Sequence, residues 1–141
     1  MCKCENAGGS VFLNVESPKF LRMETKNIVV KKSLDVGIEI VKFCEELEER
    51  KKFVVAKQLL RSGTSVGANI FEAQHAESKV DFIHKMKIAI KEANETLYWL
   101  FICERSENYP ASNPLQEKIE ELIRIISKII ISSKVNLGSS L

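Results

Sequence analysis

From Asn27 onward, apolar side chains return every three or four positions, the repeat that gathers them on one flank of an α-helix. The first run places Val30, Leu34, Gly37, Val41 and Cys44 on one seam, with Val36, Ile40, Phe43 and Leu47 beside it. Lys31, Lys32, Asp35, Glu39, Lys42, Glu45, Glu46 and Glu49 fall opposite, where water solvates them. The charged cluster from Glu45 to Lys52 reads as a turn. A second run, from about Lys52 to Ala76, repeats Val55, Leu59, Val66, Ile70 and Ala73 at helical intervals. The third opens at Ser78-Lys79-Val80-Asp81, a capping-box pattern in which a serine oxygen takes an orphan N–H of the first turn. Phe82, Met86, Ala89, Ala93, Leu97, Leu100 and Cys103 mark its inner seam, and Tyr109-Pro110 predicts an end near Asn108. For the fourth, Asn113 is the predicted N-cap, with Pro114 first and Gln116 third in the helix. Its seam is Leu115, Ile119, Leu122, Ile126 and Ile129. The additional Ile123, Ile125, Ile130 and Ile131 make it apolar on more than one face, which predicts burial against another subunit.

Short connections make successive helices antiparallel neighbours, so the pattern predicts an all-α, up-down-up-down four-helix bundle over residues 23–135. Residues 1–22 lack a sustained period; the expectation is a disordered N-terminal extension, or a start codon placed upstream of Met23. Residues 136–141 are expected to form a flexible tail.

The middle of the second run is unusual. Ser62-Gly63-Thr64-Ser65-Val66-Gly67-Ala68-Asn69 is a poor helix former, each Gly costing about 1 kcal/mol relative to Ala. The flanking apolar residues nevertheless keep one helical phase through it. Gly63 and Gly67, four apart, strip side chains from one face, which predicts a continuous helix against which another backbone packs closely. A kink or loop is the competing reading.

Composition narrows the class without naming a function. A chain of 141 residues, 45% hydrophobic and 28% charged, suits one domain with a real core. The net charge of +2 is too small to declare a nucleic-acid or membrane protein. Its distribution is uneven: residues 51–76 carry Lys51, Lys52, Lys57 and Arg61 against Glu72 alone, so one side is expected to be moderately basic. No apolar span reaches the length of a bilayer crossing and residues 1–22 lack a signal-peptide core, so a cytoplasmic protein without a membrane partner is expected. Cys44 and Cys103 sit within amphipathic runs, and Cys2-x-Cys4 has no second pair to complete a zinc site, so neither a disulfide framework nor a bound metal is expected.

Candidate chemistry is sparse. Ser65, Asn69 and Glu72 share a helical stripe, and Glu92 and Glu95 are candidates to oppose it from the next helix. We read these five as a hydrogen-bonded joint that fixes register, with a binding site as the rival reading. Glu72-x-x-His75 and Asp81-x-x-His84 flank one turn and resemble half of a di-iron site, but nothing acidic follows Glu121 to supply the remaining carboxylates at that height. No phosphate loop, cofactor motif, small-molecule pocket motif or activated nucleophile is evident, and no enzymatic activity is expected. Lys57 and Arg61 lie one turn apart, as do Lys87 and Lys91, and Lys85 joins the third helix's early face. These five are the candidate phosphate contacts, set against the ordinary alternative of a solvated mixed-charge face. Tyr98 and Trp99 offer stacking surfaces, although aromatics on helices more often anchor cores or interfaces.

The stretch Gln58-Leu59-Leu60-Arg61-Ser62-Gly63-Thr64-Ser65-Val66-Gly67-Ala68-Asn69-Ile70-Phe71-Glu72-Ala73 resembles the bacterial four helix bundle protein family, also called the rRNA intervening-sequence protein family. So do Asp81-Phe82-Ile83 and Ile88-Ala89-Ile90-Lys91-Glu92-Ala93-Asn94-Glu95-Thr96-Leu97-Tyr98-Trp99-Leu100, in the same order and at suitable spacing. The resemblance covers nearly everything after Met23. It implies a non-enzymatic protein, often encoded within intervening sequences of large-subunit rRNA genes and related to accessory proteins of diversity-generating retroelements. It further implies a ring-like homopentamer; the retroelement branch uses a basic surface to engage nucleic acid and a reverse transcriptase, and no feature of this sequence assigns the chain to that branch. The expected function is binding or scaffolding of structured RNA or a nucleoprotein; a protein scaffold without nucleic-acid contact is the alternative.

Overall fold

The computed structural model describes residues 27–139, which form four α-helices with no strand among them. We number them α1 (Ile28–Glu49), α2 (Phe53–Ala73), α3 (Lys79–Arg105) and α4 (Asn113–Gly138). The expectations for residues 1–22, including Cys2-x-Cys4, lie outside the described residues. Each helix packs on the next, and α4 also packs on α1. The partners pair falling with rising residue numbers: Asn27 with Gln74, Gly67 with Ser33 and Gly63 with Ile40 between α1 and α2. Arg61 with Glu92 and Glu72 with Lys85 do so between α2 and α3, and Lys32 with Glu121 and Glu39 with Lys118 between α1 and α4.

Inside lie Val36, Ile40 and Leu47 of α1, Leu59, Val66 and Ile70 of α2, Met86 and Leu100 of α3, and Ile119, Leu122 and Ile126 of α4. Of the first helix's broad apolar face, the half carrying Ile40 and Leu47 reaches this core. The seam through Leu34, Gly37 and Val41 borders an open groove against α2. The last helix buries part of its extra apolar surface within the bundle. Ile130 is buried, and Ile123 and Ile125 pack on the core because α4 is covered by both α3 and α1. Of its additional isoleucines only Ile131 stands out in solvent, at 63% exposure, so most of that second apolar face is satisfied within the protomer.

The joints are set by local chemistry. The charged cluster at Glu45 stays helical through Glu49 and the turn is confined to residues 50–52. There the Lys52 N–H donates to the Leu47 carbonyl and the Lys51 N–H to the Glu48 carbonyl, both at 2.8 Å, the Schellman pattern. It places Lys51 at φ 59°, where glycine is usual. At α3, Ser78 accepts the Asp81 N–H at 3.1 Å and Asp81 accepts the Glu77 N–H. Helix α3 stops at Arg105, three residues before Asn108, which itself takes a left-handed φ of 64° ahead of Tyr109-Pro110. Lys52 lies 4.8 Å over the Tyr109 ring, tying the first and third joints together at one end. Helix α4 runs on through residues 136–138, beyond the boundary expected at 135.

The α4 N-cap is Ser112 rather than the expected Asn113. Ser112 holds that position without a side-chain cap, because its hydroxyl is engaged elsewhere. It is buried 2.9 Å from the Leu100 carbonyl and accepts the Gln116 amide at 2.7 Å. Glu104 supplies the cap from outside the helix: its carboxylate accepts the Ser112 N–H at 2.8 Å and also the Asn113 side-chain amide at 3.1 Å. The Ser112 backbone and hydroxyl bonds, followed by those of Asn113, hold the Glu104 carboxyl below its ordinary value. A depressed folded-state pKa means a stability contribution present above the ordinary glutamate value of about 4.3 and lost as pH falls from there through the folded value. Glu104→Gln is therefore expected to flatten the loss of stability between roughly pH 5 and 3, measured by urea unfolding at each pH. An unchanged acid dependence would show that the clamp contributes nothing.

Candidate nucleic-acid interface

Within α2 the small-residue string is unbroken helix, and its glycines meet α1 rather than α3. A Cβ on Gly63 would stand 2.7 Å from Ile40 Cγ2; on Gly67 it would meet the Ser33 carbonyl oxygen at 3.4 Å. On the α3 side Ser62 and Thr96, both fully buried, face each other with hydroxyl oxygens 3.1 Å apart. The pair is not among the candidate residues above. Its signal was available: two hydroxyl residues that fall in line with the apolar seams.

The five residues of the polar stripe share this seam but do not form one network. Asn69 donates to the Ser65 carbonyl at 2.9 Å and to its hydroxyl at 3.2 Å, a contact within α2. Glu72 accepts from Lys85 at 2.7 Å. Glu92 and Glu95, expected to oppose Ser65 and Asn69, converge on Arg61: one guanidinium nitrogen is 3.6 Å from Glu92, and the other bonds Glu95, which also takes the Trp99 N–H at 3.4 Å. Glu92 Oε2 is enclosed and accepts no hydrogen bond, so the Arg61 charge at 3.6 Å is what compensates it. Arg61 holds the Glu95 carboxyl below its usual range, and Glu95 raises the Arg61 pKa in return.

This divides the candidate phosphate contacts. Arg61 and Lys85 are neutralised by carboxylates of the facing helix, and the bond to Glu72 raises the Lys85 pKa. Lys57, Lys87 and Lys91 are exposed and make no ion pair among the described residues. Nor are the five collected in one patch. Lys85 lies beside Glu72, and Lys57 is fifteen residues before Glu72, roughly 20 Å along the α2 axis. Lys87 and Lys91 remain together on consecutive turns of α3.

The residues of the half di-iron pattern are engaged otherwise. His75 meets the Phe71 ring edge-on at 5.5 Å, Glu72 pairs with Lys85, and Asp81 caps its helix. No group of three or more His, Cys, Asp or Glu that could hold a metal occurs among the described residues. Burial pushes the Cys44 thiol up to about 12 and the Cys103 thiol to about 11, so both are neutral at physiological pH and unsuited to nucleophilic work. No described helix is long and apolar enough to cross a membrane.

No curated protein is similar to this chain. A crystal structure of a protein of unknown function, from the S23 ribosomal protein family of Bacteroides thetaiotaomicron, shares 45% identity with it. The likeness covers 72% of this chain and 97% of that one, with a TM-score of 0.70. The profile of the family described as 23S rRNA-intervening sequence protein matches residues 25–129, which takes in α1, α2, α3 and most of α4. The chain belongs to the 23S rRNA-intervening sequence protein family.

Proposed function

We propose that the protein is an antiparallel up-down-up-down bundle that assembles with copies of itself, in a pentamer by family resemblance, and binds RNA or a nucleoprotein without catalysing a reaction. The order of contacts between neighbouring helices supports the topology. The groove between α1 and α2 supports self-association: it has a volume of ≈ 370 Å³, and Ile38, Val41, Phe71 and Gly37 line it. The neutral buried thiols and the carboxylates occupied by cations or helix caps support the non-catalytic reading.

The observation that carries the RNA reading is the contrast within the basic residues. Lys87 and Lys91 keep their charges available where Arg61 and Lys85 do not. Such a pair attracts phosphates weakly in one protomer, and a ring of copies multiplies it by raising the effective concentration of the remaining sites. The test is titration of a labelled rRNA fragment at several salt concentrations, beside measurement of the native mass by light scattering. Charge reversal at both lysines (K87E, K91E) should weaken binding and lower the slope of log affinity against log salt by about two per engaged protomer. Binding indifferent to salt and to this substitution removes the RNA reading in favour of a protein scaffold. A monomeric mass at all accessible concentrations removes the assembly.

A further inference from the structure

One stripe along α3 is occupied wholly by residues that attract, or are neutral toward, nucleic acid. Val80, His84, Lys87, Lys91, Asn94, Tyr98, Phe101 and Arg105 follow one another at alternating intervals of four and three, so they stand on one stripe. All eight are exposed, and none is acidic. The carboxylates of α3 are turned elsewhere: Asp81 to the Glu77 N–H, Glu92 and Glu95 to Arg61, and Glu104 to the start of α4.

The stripe changes character along its length. Its first half offers Lys87 and Lys91. Its second half offers two aromatic rings in solvent, Tyr98 at 60% and Phe101 at 42% exposure, with Arg105 beyond them. Tyr98, Phe101, Ile102, Arg105 and Ser106 enclose a shallow cavity of ≈ 430 Å³, within the size range of small-molecule sites. Arg105 makes no ion pair among the described residues, so its planar guanidinium is free to stack or to meet a phosphate. Apolar burial alone does not explain two aromatic residues projecting from a helix whose inner seam is already filled by Ala93, Leu97, Leu100 and Cys103.

We infer that this cavity is a nucleobase-stacking site, and that α3 binds single-stranded RNA with phosphates along Lys87 and Lys91 and unpaired bases on Tyr98, Phe101 and Arg105. The inference rests on the RNA reading above and deepens it from phosphate attraction to strand type. A duplex keeps its bases stacked on one another and offers these rings nothing, whereas a single strand exposes a π-face at every nucleotide. The occupant is argued from charge and ring chemistry together: an acidic peptide would use the cations and leave the rings idle, and an apolar partner would bury the cations unpaired.

Trp99, the single tryptophan, supplies the readout. Its ring contacts Tyr98 edge-on with centroids 5.6 Å apart, so a base settling on Tyr98 alters its emission. The experiment titrates the full chain with short oligoadenylate and with a duplex RNA of equal length, following Trp99 fluorescence and, separately, anisotropy of labelled RNA. Oligoadenylate should bind more tightly than duplex and quench Trp99. Tyr98→Ala should weaken the single strand roughly ten- to hundredfold and duplex hardly at all, and Tyr98→Phe should restore it. Equal affinity for both RNAs, unaffected by Tyr98→Ala yet lost in the K87E/K91E variant, overturns the stacking site and leaves phosphate binding standing. Absence of binding to either RNA at low salt overturns both. If Tyr98→Ala instead lowers the native mass, the rings belong to a contact between copies and the inference is wrong.

Discussion

Gly63→Ala is expected to destabilise the fold by about 1–3 kcal/mol, although alanine is the better helix former by about 1 kcal/mol. The new methyl would lie 2.7 Å from Ile40 Cγ2, 2.9 Å from Cγ1 and 3.0 Å from Cδ1. Two of those atoms branch directly from Cβ and cannot swing aside as a chain end would, and Ile40 is fully buried. Relief therefore requires α1 and α2 to separate, which loosens the seam at Gly67 and Ser33 as well. Gly37→Ala provides the control, since no atom lies within 4 Å of its added methyl. It should stabilise the monomer by about 0.5–1 kcal/mol. Urea unfolding measures both. A cycle with Ile40→Ala sharpens the test, because the double variant should cost less than the sum of its singles if the methyl and the isoleucine compete for one space. A Gly63→Ala variant as stable as the parent would show that the glycine is tolerated rather than required.

The same two glycines show how far the sequence could be read. Periodicity located all four helices, because burying an apolar flank is a property each helix carries in its own residues. Spacing singled out Gly63 and Gly67 as the close-packing pair, but it could not say that α1 is the helix that meets them or that Gly63 presses on the Ile40 side chain while Gly37 borders an open groove. The basic residues are divided by the fold for a related reason. Lys57, Arg61, Lys85, Lys87 and Lys91 look alike along the chain, yet Arg61 and Lys85 are cancelled by carboxylates from the facing helix, which spacing within one helix does not reveal. At Ser112 a local rule was overridden: Asn113-Pro114 is a sound helix start, but Ser112 holds the N-cap position, its hydroxyl bonded to Leu100 and its N–H to the carboxylate of Glu104. The excess isoleucines of α4 are in part a matter of its own two neighbours, since Ile123, Ile125 and Ile130 pack on the core while Ile131 and Val135 stay exposed.

On the proposed self-association through the α1–α2 groove, Val41→Glu is expected to convert the assembly to folded monomers. One uncovered apolar surface of the bundle's first half is the α1–α2 groove, where Ile38 and Val41 are 47% and 38% exposed and Leu60 lies on the adjoining face of α2. Within one protomer position 41 borders solvent, so glutamate there costs the monomer little. In an assembly that closes this groove the same carboxylate is buried without a partner, at about 3–5 kcal/mol per interface. Each contact then weakens by at least a hundredfold, and a closed ring loses that amount at every joint. Gly37→Leu approaches the surface from the other side. It fills space that is empty in the monomer, so it should preserve or raise thermal stability while blocking the approach of a second copy. Sedimentation velocity at matched concentrations reads both variants. If Val41→Glu and Gly37→Leu keep the parental mass, the copies meet elsewhere and the groove is not their contact. If both fall to monomer while circular dichroism is unchanged, the groove that α1 and α2 leave open is the surface on which the protein assembles.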